Sequence, residues 1–204
     1  MAAIGMKYPV WAPIESYTPG SPVVYGEGVV MGEAVSADVT WQRANAEQYG
    51  DDALVESDDS ITGGSITVES THVSFDAAQK IWGLVKRSVN EKDAFTTTGG
   101  GAPYGGCGWI DVLRVKGVDS YVVNWVYKVQ LGRDSKRSAT KAQNLTFQNA
   151  SQQGKAMAVQ TDETMKDYFM DEIPCDTLQD AFALLKSLAH ISDKAAAAAV
   201  EGGA

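Results

Sequence analysis

Residues 33–42, EAVSADVTWQ, set Val35, Ala37, Val39 and Trp41 in alternation with Ser36, Asp38, Thr40 and Gln42. A period of two predicts a strand with one dry face. Residues 65–70, SITVES, read as a second strand of the same kind. Between them runs RANAEQYGDDALVESDDSITGG, with carboxylates at Glu47, Asp51, Asp52, Glu56, Asp58 and Asp59. A structureless connection of that length is uncommon in a compact domain and is usually functional or disordered. No nucleophile or metal-ligand set accompanies it, which points to contact with another molecule rather than to chemistry.

The pattern continues along the chain. Residues 1–22 place Pro9, Pro13, Pro19 and Pro22 among Tyr8, Trp11 and Tyr17, a spacing that rules out a helix. They are expected to form an extended arm whose aromatics pack on this subunit or a neighbour, ahead of a single β domain over 23–192. Short strands are expected at 22–25 and 28–31. Ser74 can cap a helix over 75–85, with Phe75, Ala78, Ile81, Trp82 and Val85 as its apolar stripe. Residues 96–108, TTTGGGAPYGGCG, read as a glycine-rich loop. A hairpin follows over 109–116 and 121–131, with Val123, Trp125, Tyr127, Val129 and Leu131 on one face. A further hairpin is expected around Gly154, from 141–148 and 155–160. Thr177 and Asp180 resemble a capping box for a helix to residue 188, with Leu178, Phe182, Leu185 and Ala189 on its dry face. The tail 193–204 has no burial pattern and is expected to be flexible. The class is mainly β: two packed β-sheets, a sandwich or partly closed barrel, with a flanking α-helix and a C-terminal helix.

Composition narrows the function. The net charge of −9 opposes a grip on nucleic-acid phosphates, although an acidic wall can pass a polyanion without holding it. The cations Arg133, Lys136, Arg137 and Lys141 form a basic loop whose functional reading is as electrostatic partner to the acidic segment of another subunit. Cys107 and Cys175 fit two free thiols better than a disulfide framework. The start MAAIGMKYPVWAPI is not that of a signal peptide, and no run reaches membrane-spanning length, so a soluble protein made in the cytoplasm is expected. The glycine run lacks the Gly-Lys-Ser/Thr ending of a phosphate loop. The acidic residues miss calcium-loop spacing, and His72 and His190 have no ligand partners at zinc spacing. No enzyme activity, cofactor or metal is expected.

Three stretches, GMKYPVWAPI, VVMGEAVSADVTW and AEQYGDDALVESDDSITGGSITV, resemble the major tail proteins of long-tailed bacteriophages, the tail tube subunits of siphophages. The resemblance covers roughly the first 75 residues. It implies a structural virion protein that closes into rings, usually hexameric, which stack into a tube through which DNA passes. Neighbouring inner sheets would join into one barrel. The partners it implies are the chain itself and other tail proteins: tape measure, tail terminator and distal tail protein. Residues 43–63, with Glu47, Tyr49, Asp51, Asp52, Leu54, Glu56, Asp58 and Asp59, would reach the adjacent ring. Tyr8, Trp11 and Tyr17 would bridge subunits, and Asp38, Thr40 and Glu69 would face the lumen. The alternative is a β-sandwich binding module, such as a carbohydrate-binding or adhesin domain, which needs an exposed aromatic platform rimmed by polar groups.

Overall fold

The strongest strand pattern of the sequence becomes the spine of the protein. In the computed structural model, which describes residues 2–50, 53–115, 117–132 and 149–192, β10 (Gly105–Val115) and β11 (Val118–Gly132) pair antiparallel around Gly117. Chain order gives β1 (Ala2–Ser16), β2 (Val24–Tyr25), β3 (Val29–Val30), β4 (Ala34–Arg43), β5 (Ala46–Gly50), β6 (Ala53–Asp58) and β7 (Ile61–Ser70). Then come α1 (Phe75–Trp82), β8 (Val85–Val89), β9 (Lys92–Thr96), the β10–β11 spine, β12 (Ala150–Met157), β13 (Met170–Cys175) and α2 (Leu178–Leu188). The protein is mainly β, with a large antiparallel sheet, two small two-stranded sheets and two helices among the described residues.

Both layers of the expected sandwich belong to one sheet, ordered β2-β1-β10-β11-β12-β7-β4. β11 joins them because its outer edge is shared: residues 121–126 pair with β13, and 128–132 pair with β12. The sheet curls until β4 lies beside β1, enclosing a core of Trp11, Met31, Ile66, Val68, Trp109, Val126, Val129 and Leu131. Ala77 and Ile81 of α1 close one side of that core. A second core lies on the outer face of β1, β10 and β11, where α2 covers Val10, Ala12, Ile110, Val123 and Trp125 with Ala181 and Leu185. The layers therefore run from α2 through β1-β10-β11 and the main core to β12-β7-β4, whose far face meets solvent.

Two bulges let single strands serve both cores. Between Cys107↔Val126 and Gly105↔Val129 the spine takes one extra residue on β11, which reverses its facing. Val123 and Trp125 thus face the α2 side, while Val129 and Leu131 join Val126 in the main core. This corrects the single-face expectation for 123–131. β1 does the same between Lys7 and Val10, where Tyr8 takes a left-handed φ of 57°.

The arm expectation for 1–22 is overturned. β1 pairs with β10 along one edge and with β2 and β3 along the other, and Val10, Trp11 and Ala12 are fully buried in this subunit. Its prolines fit because their carbonyls are what the neighbours use: Pro9 O accepts from Met31 N at 2.9 Å and Pro13 O from Gly26 N at 2.8 Å. Residues 105–108 are likewise strand, not loop. A β-carbon at Gly105 would collide with the Trp11 indole, and one at Gly108 would sit 2.6 Å from Trp125 Cε3. The glycines there make room for two buried indoles. Gly154 lies inside β12 rather than at a turn; its expected partner strand, 141–148, falls outside the described residues, as do the basic loop 133–141 and the tail 193–204.

Both helix caps form as the local sequence requires. Ser74 Oγ accepts from Ala77 N at 3.2 Å, and Thr177 Oγ1 accepts from Asp180 N at 3.1 Å. α1 ends at Gly83 in the left-handed conformation (φ 65°), earlier than the stripe to Val85 implied. Its buried residues are Ala77, Ala78 and Ile81; Phe75 and Val85, counted on the dry face, are exposed.

Candidate functional surfaces

Antiparallel partners directly opposite each other share a face, so the register of β4, β7 and β12 fixes a surface row by row. Ser36, Glu69 and Ser151 form one row. Asp38, Thr67 and Gln153 form the next, and Thr40, Ser65 and Lys155 the third. On β11, Gln130 extends the third row beside Lys155. The opposite face of the same strands carries Ala37, Val39, Trp41, Ile66, Val68 and Ala156 into the main core. Asp38 and Thr40 are exposed and Glu69 is half-buried, so the structure brings these three onto one polar, solvent-facing surface of this subunit. Val35 drops out of the alternation at a bulge between Ala34 and Ser36 and is exposed.

The chemistry of this surface differs from a mostly acidic one. Hydroxyl and amide groups dominate, Asp38 and Glu69 are its acids, and Lys155 stands against them. Lys155, Gln153 and Ser151 were not legible as surface partners, because nothing local in 150–157 names β7 and β11 as its neighbours. Toward one side, Lys128 Nζ sits 4.9 Å from the Tyr104 ring centroid and 5.3 Å from that of Tyr17. The Tyr17 hydroxyl accepts from Gln160 N at 2.8 Å. Tyr8 meets Phe182 of α2 edge-on at 4.9 Å. With Trp11 in the main core, all three aromatics assigned to subunit bridging have packing partners within this chain.

The acidic segment 43–63 is not a structureless loop. β5 and β6 pair with each other, with Ala46 opposite Asp58, Gln48 opposite Glu56 and Tyr49 opposite Leu54, and so form a two-stranded ribbon beyond the last rung of β4–β7. Its base is tied by Ala44 N donating to Ser60 O at 2.7 Å and by an Arg43–Asp59 contact at 3.5 Å. Asp58 accepts from Ser60 N at 2.9 Å, and that backbone bond holds its carboxyl below the usual range. Glu47 is exposed; Asp51 and Asp52 lie outside the described residues.

Among the described residues the outer strands of the sheet, each with one edge lacking a ladder partner, are β4, β13 and the two-residue β2 and β3. β13 carries Pro174, which cannot extend pairing through its nitrogen. Among the described residues no three His, Cys, Asp or Glu side chains gather at metal-binding distance. Cys107 is a buried free thiol whose pKa is pushed up to about 12 by burial. No helix among the described residues is long and apolar enough to cross a membrane.

No protein-family model matches the chain, and no curated protein matches it.

Among the described residues one carboxylate, Asp111, has a raised pKa. Burial of Asp111, with Glu172 adding, outweighs the hydrogen bonds from Asn124 and Trp109. A carboxyl raised by folding contributes stability that is full below its unfolded pKa, near 3.9, and lost as pH rises through the folded value. Asp111→Asn is therefore expected to raise the Tm at pH 7, with the gain shrinking to nothing as pH falls below about 4. Thermal melts at several pH values check this; a gain that persists at pH 3 would contradict it.

Proposed function

We propose that this chain is a structural virion protein, a tail tube subunit that assembles with copies of itself into stacked rings around a DNA channel. The observation that carries the reading is the polar face running from β4 through β7 and β12 onto β11, bounded by an outer strand and extended at one end by the acidic ribbon. Joining outer edges between copies would continue that face and cover exposed strand edges, which a lone sheet leaves open to non-specific pairing. A heterologous contact of this kind closes into a ring when its rotation does. Asp38, Thr40 and Glu69 would then line the lumen, where hydroxyls, amides and a few acids let a polyanion slide, because affinity for phosphates climbs with each added cation. Location in the virion tail, assembly in the bacterial cytoplasm, and contact with tape measure, terminator and distal tail proteins follow from the same reading.

The binding-module alternative needs an exposed aromatic platform. Among the described residues the large exposed aromatics are Phe75, stacked on Phe95, and Tyr104, held under the Lys128 ammonium. They lie on separate elements, and neither is rimmed by a convergent polar set.

Negative-stain microscopy of the purified chain at rising concentration tests the tube reading directly, since hollow rings or tubes are the expected product. In such tubes Asp38→Lys with Glu69→Lys should leave assembly intact and make the lumen retain DNA, with retention falling steeply as salt is raised. Finding these side chains on the outer wall of a tube would remove the lumen assignment.

A further inference from the structure

A second ribbon, absent from the sequence reading, stands apart from the main sheet. β8 and β9 pair only with each other, across a two-residue turn at Asn90 and Glu91 whose φ values are 50° and 62°. Positive φ at both positions is the hairpin geometry that matches strand twist, and Asn90 suits it better than Glu91 does. Phe95 stacks on Phe75, the first residue of α1, at 4.8 Å between ring centroids. The face bearing Phe95 also carries the Lys86–Asp93 ion pair at 2.8 Å. The other face presents Val85, Arg87 and Val89 opposite Thr96, Ala94 and Lys92. Val85 and Val89 are 49% and 43% exposed, and no described carboxylate is paired with Arg87 or Lys92. An isolated two-stranded ribbon is marginal in water, so a face with two bare valines and two unpaired cations is one that a partner would stabilise.

The position of the ribbon selects the partner. The acidic ribbon leaves β4–β7 at the Arg43/Ile61 rung, whereas α1 begins five residues after Ser70, at the other end of that ladder. Nine rungs at about 3.4 Å place the two ends roughly 30 Å apart. An acidic projection at one end and a basic, apolar face at the other are complementary between molecules stacked head to tail. Residues 43–63 carry six carboxylates against Arg43 alone, interleaved with Tyr49, Leu54 and Val55. We infer that the outward face of β8–β9 receives the acidic β5–β6 ribbon of a second copy of this chain, with Arg87 and Lys92 meeting carboxylates such as Glu47, Asp58 and Asp59. The inference rests on the tube reading and names the docking face of the ring-to-ring contact.

The test compares assembly of the full chain and its variants by sedimentation and negative stain. Arg87→Glu with Lys92→Glu should leave the Tm unchanged and raise the concentration needed for tubes by at least about ten-fold. Arg87→Gln with Lys92→Gln, which adds no repulsion, should raise it less and guards against a misfolded reversal. Adding Glu47→Lys and Asp59→Lys to the Glu variant should restore tubes. If the ribbon variants polymerise as wild type does, the inference fails and the tube reading stands. If rescue instead follows reversal of Arg137 and Lys141, or fails altogether, the ribbon is not the receptor of the acidic hairpin. Duplex DNA binding lost with Arg87→Glu would make nucleic acid the occupant and overturn the inference. A wild-type chain that forms no tube at any concentration removes both readings together.

Discussion

Trp11→Ala is expected to cost about 3–5 kcal/mol, the range for removing a large aromatic from a packed core. Trp11 is fully buried, its ring lies over Gly105, and its strand position is opposite Cys107 in the middle of β1–β10. For a chain of this length each kcal/mol moves the Tm by about 2–4 °C, so the loss should be about 6–20 °C. Deleting residues 2–16 should go further and leave no folded monomer, because it strips β10 of a partner and β2 and β3 of theirs. Calorimetry on the Trp11 variant and circular dichroism on the deletion decide the point. A truncated monomer that melts like the full chain would return the segment to the role of an arm that serves neighbours.

Excising residues 46–58 is expected to have the opposite profile, a folded subunit that makes no long tubes. The cut joins Asn45 to Asp59 between Ala44 and Ser60, whose backbone groups are already bonded at 2.7 Å. What remains is a two-residue Asn-Asp connection, a composition well suited to a tight hairpin. The core loses nothing, since its members on β4 and β7 run from Ala37 to Trp41 and from Ile66 to Val68. The Tm should therefore hold within a few degrees while sedimentation shows only small species. Normal polymerisation of the shortened chain would mean that ring-to-ring contact lies elsewhere.

These paired expectations reverse part of what the sequence suggested, for a physical reason. Alternation in 33–42 and 65–70, the spine hairpin, and the caps at Ser74 and Thr177 are local signals, and each falls in an element of the expected kind, with β7 starting earlier, at Ile61. The grouping of Asp38, Thr40 and Glu69 on one face was also legible, because one register fixes them together. Misreadings arose where a residue answers to distant neighbours. The prolines of β1 read as breakers because their use as acceptors depends on Gly26 and Met31. The glycines of β10 read as loop because the indoles they accommodate come from Trp11 and Trp125. The β8–β9 ribbon gave no dry face to detect, since neither of its sides is buried in a core.

The four-stranded width of the polar face also sets a length along any ring built from it. Strands spaced about 4.8 Å apart give each copy roughly 19 Å of arc. Six copies would close a circumference of about 115 Å, a backbone diameter near 37 Å before strand tilt, which widens it. If the proposed ring forms, the point where β12 and β13 part company along β11 would set how many strands each copy contributes, and with it the bore.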